Sequence, residues 1–397
     1  EVHIYRVVLA APEDGSQGGS DEGVDSGDAG DGWAADAQDG ASTVEEQDED
    51  EIGADGLDAG AIDTGGLTKR LRAEGRSRFA AFAARWAADH YGAVTSGARA
   101  GLAAMGAARA VLGDSAVRAA SERARTLSGG RLPLWNRAMP RRAPAVPFRD
   151  VAAGGKRKVV YFPSCVARSM GPSPGDPDPR ALHEAMLSLL SKAGYDVLFP
   201  MGMEGLCCGM PFGSKGFPEE AERTRSELES ALMACSRDGE YPVLFDTSPC
   251  LYTVKRKADP RLRLYEPVEF LHAFLLDALE FRKVPGTIAI HVTCSSVKLG
   301  LQEKFLAVAR ACAENVVVPA RVGCCGVAGD RVFRFPELNA SALSELEAGL
   351  PDDCRAGYSN SRTCEIGLTL RSGRPYQSIV YLADRCARRK DGQAGGG

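Results

Sequence analysis

Two copies of one cysteine pattern occupy the second half of this 397-residue chain, each centred on Cys-Cys-Gly. The first runs Cys165, Cys207, Cys208, Gly209, Cys250; the second runs Cys294, Cys324, Cys325, Gly326, Cys364. Adjacent cysteines rarely bridge each other without straining the backbone, but both can turn thiolates toward one metal centre. The pattern therefore points to metal ligation by eight residues, four in each half. Spacing separates it from common zinc motifs, whose ligands come from two short local clusters. Here 41 residues lie between Cys165 and Cys207 and 41 between Cys208 and Cys250, with 29 and 38 in the second copy. Four thiolates per half suit an iron–sulfur centre, with zinc as the alternative.

The elements that must position these cysteines repeat as well. KVVYFPSC (158–165) matches TIAIHVTC (287–294), DVLFPMGMEGLCCG (196–209) matches NVVVPARVGCCG (315–326), and PVLFDTSPC (242–250) matches RAGYSNSRTC (355–364). Each piece is a short β-branched or aromatic run ending in a loop that carries the cysteine. Between them, ALHEAMLSLLSKAG (181–194) and VKLGLQEKFLAVARACA (297–313) space their apolar residues as helices do. Alternating strand and helix predicts an α/β fold of two tandem cysteine-rich modules with parallel-type sheets, and such sheets place their sites outside the carboxyl ends of the strands.

Composition divides the rest. Residues 1–68 hold 19 acidic residues and one basic, Arg6, while the remainder holds 34 acidic and 47 basic, so the net charge of −5 hides an acidic start and a basic body. We read 1–66 as an acidic low-complexity segment, mostly disordered, because it has too little apolar surface to fold. Residues 67–130 read as a helical connector, with Phe79, Phe82, Trp86 and Leu102 at helical intervals expected to pack on the cysteine-rich body. Its frequent charges exclude a membrane span, which needs about 20 apolar residues in a row. A proline-punctuated linker follows over 131–155, then module 1 at 156–283, module 2 at 284–388 and a flexible tail at 389–397.

Four further cysteines fall outside the register. Cys235, Cys312, Cys354 and Cys386 read as small core hydrophobes. A disulfide framework is disfavoured because the chain shows no signal peptide and intracellular thiols stay reduced, which also argues for the cytoplasm, with peripheral contact at the inner face of the membrane as an option. Arg168, Lys215, Arg331 and Arg362 lie within a few residues of the ligand candidates and read either as cations steering an anionic partner or as counter-charges on a solvated face. His291 reads as a structural histidine outside the site.

The two modules resemble the cysteine-rich domain pair of heterodisulfide reductases, glycolate oxidase iron–sulfur subunits and the iron–sulfur subunit of anaerobic glycerol-3-phosphate dehydrogenase. LPLWNRAMPR (132–141), YFPSCVARSMG (161–171), EGLCCGMPFGSKG (204–216), HVTCSSVKLGL (291–301), CCGVAGDRVFRFPELNASA (324–342) and YSNSRTCEIGL (358–368) are similar to the C-terminal part of FAD-linked D-lactate dehydrogenases with a built-in iron–sulfur tail. This resemblance, over roughly residues 60 to 386, implies iron–sulfur clusters held by the eight cysteines and electron relay from a flavin half or subunit to a quinone, cytochrome or other acceptor. Nucleic acid is not among the implied partners. Where many relatives have Cys-x-x-Cys, this chain has Thr247 and Ser361 ahead of Cys250 and Cys364, which favours a four-thiolate [4Fe-4S] cluster over a five-cysteine noncubane one. The chain has no cysteine before Cys165, no Gly-rich dinucleotide turn and no initial Met, so the resemblance further implies a fragment whose FAD site lies upstream or in a partner. Two other functions compete: thiol/disulfide catalysis of the heterodisulfide reductase kind, and a zinc-stabilised non-redox binding module.

Overall fold

The computed structural model describes residues 64–130, 132–155 and 157–390. The segment expected to be disordered lies outside these residues up to position 63, as does most of the C-terminal tail. Three helices lead into the cysteine-rich body, α1 (Thr64–Glu74), α2 (Arg78–Asp89) and α3 (Tyr91–Leu127), the last broken at Gly113. Ser77 caps α2 by accepting a hydrogen bond from the Ala80 amide. The connector does pack on the body, but through another face than the sequence suggested. Phe79, Phe82 and Trp86 are 79%, 67% and 49% exposed, whereas Ala84, Ala88 and Tyr91 are buried. Alanines let the helix approach closely, so the small residues rather than the large ones make the contact.

Module 1 begins with β1 (Arg157–Phe162), α4 (Cys165–Ser169), α5 (Leu182–Lys192), β2 (Tyr195–Leu198), α6 (Met210–Gly213) and α7 (Pro218–Cys235). It continues through β3 (Val243–Phe245), α8 (Ser248–Lys255), β4 (Leu264–Tyr265), α9 (Pro267–Phe270), a π-helical turn at Leu271–Leu275 and β5 (Leu279–Phe281). Val159, Val160, Tyr161 and Phe162 are all buried in β1, as a strand covered on both faces requires. Each such aromatic or branched side chain contributes about 2 kcal/mol of burial. Module 2 follows as β6 (Val284–Ile290), α10 (Cys294–Lys298), α11 (Gln302–Cys312), β7 (Ala313–Val317), α12 (Pro336–Ala342), β8 (Ala356–Ser359), α13 (Arg362–Ser372), β9 (Tyr376–Ser378), α14 (Ile379–Cys386) and β10 (Ala387–Arg389).

The repeat read from the cysteines is a repeat of topology. Module 1 forms a parallel sheet in the order β2-β1-β3-β4, and module 2 forms one in the order β7-β6-β8-β9, position for position the same. In each, the chain leaves the first strand for an edge strand on one side and returns to pair on the other. The carboxyl ends of β1 and β3, and of β6 and β8, therefore flank a topological switch point, where side chains and ligands find an open crevice.

One apolar core joins the modules, running from Val159, Leu189 and Phe245 to Ile288, Phe305 and Ile379. C-terminal α14 and β10 return to module 1. Buried Asp384 accepts hydrogen bonds from Ser188 at 2.8 Å, Arg180 at 2.8 Å and Lys192 at 2.7 Å, and β10 pairs antiparallel with β5. A second clamp is Arg362, which donates to Asp176 at 3.0 Å, Ser173 at 2.8 Å and the Gly171 carbonyl at 3.0 Å in module 1, and to Glu365 at 3.2 Å. Burial, partly offset by Arg362, pushes the Glu365 carboxyl up to about 7.

Removing Arg362 strands two buried carboxylates, a loss of about 3–5 kcal/mol. Lys215 and Asp330 also link the modules, at 2.6 Å, but both are exposed, and such a pair is worth about 0–1 kcal/mol. In denaturant unfolding, Arg362→Ala should lower the midpoint strongly and Lys215→Ala should scarcely move it. Equal effects would show that burial does not set the strength of the module contact.

Candidate metal centre

Each cysteine follows the carboxyl end of a strand, and the local sequence explains how it is held. After β1, Ser164 accepts a hydrogen bond from the Ala167 amide and so caps α4, placing Cys165 at its first position; after β6, Thr293 does the same for Cys294 with the Ser296 amide. Cys250 and Cys364 lie near the starts of α8 and α13, after β3 and β8. The Cys-Cys-Gly turns follow β2 and β7. Gly209 has φ of 84° and Gly326 of 65°, a region open chiefly to glycine. A Cβ on Gly209 would stand 2.3 Å from the Ala221 carbonyl oxygen, and one on Gly326 2.6 Å from that of Leu338. The turn thus needs glycine for its conformation and for its seat against α7 or α12.

These loops bring the predicted residues together in both halves. The Cys208 and Cys250 sulfurs are 3.3 Å apart, and those of Cys325 and Cys364 are 2.9 Å apart. Cys207 hydrogen-bonds Cys208 and interacts electrostatically with Cys165; Cys324 stands in the same relation to Cys325 and Cys294. Backbone amides of Gly209 and Gly326 donate to Cys207 and Cys324, each at 3.4 Å. Burial, reinforced by Cys207, pushes the Cys165 thiol up to about 11. The hydrogen bond shared with Cys208, and then burial, hold Cys207 well above the usual thiol range. As neutral thiols, the sulfurs draw together through S–H···S contacts.

Those contacts bear on what fits. Bonds of about 2.3 Å to a tetrahedral zinc would set sulfurs about 3.8 Å apart, so even one ion requires the pairs to open. Among the described residues no group of three or more His, Cys, Asp or Glu side chains is arranged around a single metal ion. The donor chemistry nevertheless fits an iron–sulfur core: four soft sulfurs per half, amides directed at sulfur, and loops that can spread as metal displaces protons.

The two sites differ in their cover. Tyr91, at the start of α3, hydrogen-bonds the Cys165 and Cys207 sulfurs and packs with Ala84, Ala88 and Phe212 over Cys207. Among the described residues the second site has no such lid on its outer cysteines, and Cys294 and Cys324 are exposed. Between the sites runs a buried hydroxyl network. Ser248 lies 2.7 Å from both Thr293 and Ser295, Thr293 donates to Asn360 at 3.0 Å, and Asn360 donates to Ser296 at 2.7 Å and Glu266 at 2.8 Å. Thr247 donates to the Asn360 main-chain carbonyl at 3.0 Å. Its hydroxyl ties one cysteine-bearing loop to the other.

The neighbouring cations are placed differently from a steering patch. Arg168 is buried and holds the loop ahead of Cys207, donating to the carbonyls of Met203, Glu204 at 3.2 Å and Leu206 at 2.6 Å. Arg362 is likewise spent in its clamp, and Lys215 pairs with Asp330. Arg331 follows Asp330 in a single 3-10 turn. His291 is buried, and burial lowers it to about 4, leaving it neutral. Sequence reading missed Tyr91. Its position at the junction of two Ala-rich helices was the only available signal.

Comparison with known proteins agrees at the level of the domain. Residues 159–255 match the family model of a cysteine-rich domain, CCG. No curated protein matches the chain. Among solved structures, an aspartate racemase homologue from Pyrococcus horikoshii is 11% identical, with a TM-score of 0.23, covering 58% of this chain and 96% of that one.

The unequal cover sets an order of thiol reactivity. In metal-free protein, an alkylating reagent followed by peptide mass spectrometry should modify exposed Cys294 and Cys324 before Cys165 and Cys207, because access limits the reaction of the covered pair. Tyr91→Ala should speed labelling of Cys165 and Cys207 by roughly tenfold, as expected when local opening is no longer required. Unchanged rates in that variant would remove Tyr91 from the role of lid.

Proposed function

We propose that this chain is the electron-transfer portion of an FAD-dependent dehydrogenase of D-lactate or a related 2-hydroxy acid, carrying electrons from flavin toward a quinone, cytochrome or other acceptor. The observation that carries the reading is the pairing of two four-cysteine sets at equivalent switch points, joined by the Ser248, Thr293 and Ser295 contacts at 2.7 Å. Motif resemblance supports the choice of donor and substrate, and the cysteine-rich domain match over 159–255 supports redox or metal-binding chemistry.

An iron–sulfur cluster bound in each half would accept and return electrons singly. The chain's own residues do the rest. Cys165, Cys207, Cys208 and Cys250 hold the first site, and Cys294, Cys324, Cys325 and Cys364 the second. The Gly209 and Gly326 amides stabilise negative charge on sulfur, as does the Tyr91 hydroxyl at the first site. Ala84 and Ala88 exclude water from the first site, while exposed Cys294 and Cys324 leave the second open to an outside partner. Oxidation of the 2-hydroxy acid belongs to the flavin of an attached half or subunit. Among the described residues no helix is long and apolar enough to cross a membrane.

Iron, acid-labile sulfide and visible absorption measured on the isolated protein test this reading. Cys208→Ser and Cys325→Ser should each bleach the absorption of one half, because serine oxygen suits a thiophilic iron poorly, and Cys235→Ser should not. Joined to its flavin half, a variant lacking both Cys207 and Cys208 thiols should reduce the acceptor slowly while flavin reduction by substrate stays intact. A colourless protein containing zinc and no labile sulfide would end the electron-transfer assignment.

A further inference from the structure

Away from both cysteine sites, the structure pairs two thiols that the repeat leaves unexplained. Cys312 ends α11 and Cys386 ends α14, 74 positions apart in the chain, and their side chains interact electrostatically. The Cys386 thiol donates to the Cys312 carbonyl oxygen at 3.2 Å. Both residues are buried, at 0% and 1% exposure. Cys386 is nevertheless close to the surface, because its neighbours Arg385 and Arg388 line a cavity of about 440 Å³ with Arg180, Lys192, Tyr358 and Tyr381. Tyr358, part of the same lining, stands within electrostatic reach of both sulfurs.

The surroundings treat the two sulfurs unequally. The contact with Cys312, opposed by burial but aided by the Val284 amide and the positive charge of Arg385 and Arg388, holds Cys386 below the usual thiol range. The same contact, then burial, raise Cys312. Cys235 and Cys354 have no such partner, and burial raises both.

We propose that Cys312 and Cys386 form a reversible intramolecular disulfide, a redox modification site separate from the metal centres, made by a small peroxide. Cys386 is the attacking residue: its thiolate displaces one oxygen of hydrogen peroxide, a sulfur–oxygen bond forms, the oxygen–oxygen bond breaks, and hydroxide leaves as water after taking a proton. The Cys312 thiol then gives up its proton and attacks the Cys386 sulfur, the sulfur–oxygen bond breaks and a second water leaves. Two thiols are oxidised by two electrons and one peroxide is reduced to two waters. Size selects the oxidant, since a sulfur with 1% exposure admits peroxide more readily than a bulky disulfide. The product locks α14, which carries Asp384 against α5, to the end of α11.

The test uses the full chain, treated with one equivalent of hydrogen peroxide and quenched with catalase. Free thiols are blocked with iodoacetamide, the protein is reduced, and newly released thiols are labelled with N-ethylmaleimide and mapped. With the first block done in denaturant, the expected result is N-ethylmaleimide on Cys312 and Cys386 and iodoacetamide on Cys235 and Cys354; a parallel digest without reduction should give a Cys312–Cys386 linked peptide lighter by two hydrogens, which dithiothreitol separates. Cys312→Ser should instead leave Cys386 trapped as a sulfenic acid that dimedone labels. If both residues stay free in the wild-type protein while other cysteines oxidise, or if Cys386 takes no dimedone in the Cys312→Ser variant, the assignment fails. Because the linked peptide is sought in wild-type protein, poor folding of a variant cannot rescue or defeat it.

Discussion

The structure depends on where each parallel sheet divides its connections. From β1 the chain crosses to β2 on one side, and β3 then pairs on the other; β6, β7 and β8 repeat the arrangement. A crevice at the carboxyl ends follows from that order, because the connections leave in opposite directions. Every cysteine of the two sets is attached to a strand that ends there. Helix caps at Ser164 and Thr293 then hold Cys165 and Cys294, and left-handed glycines at 209 and 326 set the turns in which Cys208 and Cys325 meet Cys250 and Cys364.

Gathering sulfurs in a dry crevice has an electrostatic consequence. Thiolates at such spacing repel, and burial removes the water that would stabilise them, so the metal-free sites hold neutral thiols in contact. A cationic centre reverses that preference by replacing protons. The hydroxyl network between the sites serves a related end: each buried bond contributes about 1 kcal/mol, whereas an orphaned buried group costs about 1–3 kcal/mol, so Ser248, Thr293 and Asn360 stay in register only if both modules are docked.

How far this was legible in the sequence depends on range. Strand runs such as KVVYF and the repeated cysteine spacing are local patterns, and they identified the sheet class and singled out thiols that include the Cys208–Cys250 and Cys325–Cys364 neighbours. Side chains whose role is set by a distant partner were not legible. Arg168 and Arg362 look like surface cations by position, yet one grips the 203–206 carbonyls and the other bridges Asp176 and Glu365. Periodicity on α2 drew attention to Phe79, Phe82 and Trp86, but a helix that must lie close over Cys207 buries its alanines and Tyr91 instead. Cys312 and Cys386 belong to no motif, and only the return of α14 past the end of α11 makes them neighbours.

The two sites differ in access. Asp246 and Asn360 occupy equivalent positions after β3 and β8, but they are used differently. Asp246 accepts from the Tyr161 hydroxyl at 3.1 Å and the Ser164 amide at 3.0 Å, holding the first loop within its own module. Asn360 binds the loop that bears Cys294 and also crosses to Glu266 of module 1, so the second loop is braced by the junction itself. The site braced from within is the one that also receives a lid, Tyr91, while the site braced by the junction keeps two cysteines at the surface. In the relay proposed above, an outside protein or small acceptor would meet the second set first. Two copies of one module thereby become unequal without any change in sheet order, through what covers one of them.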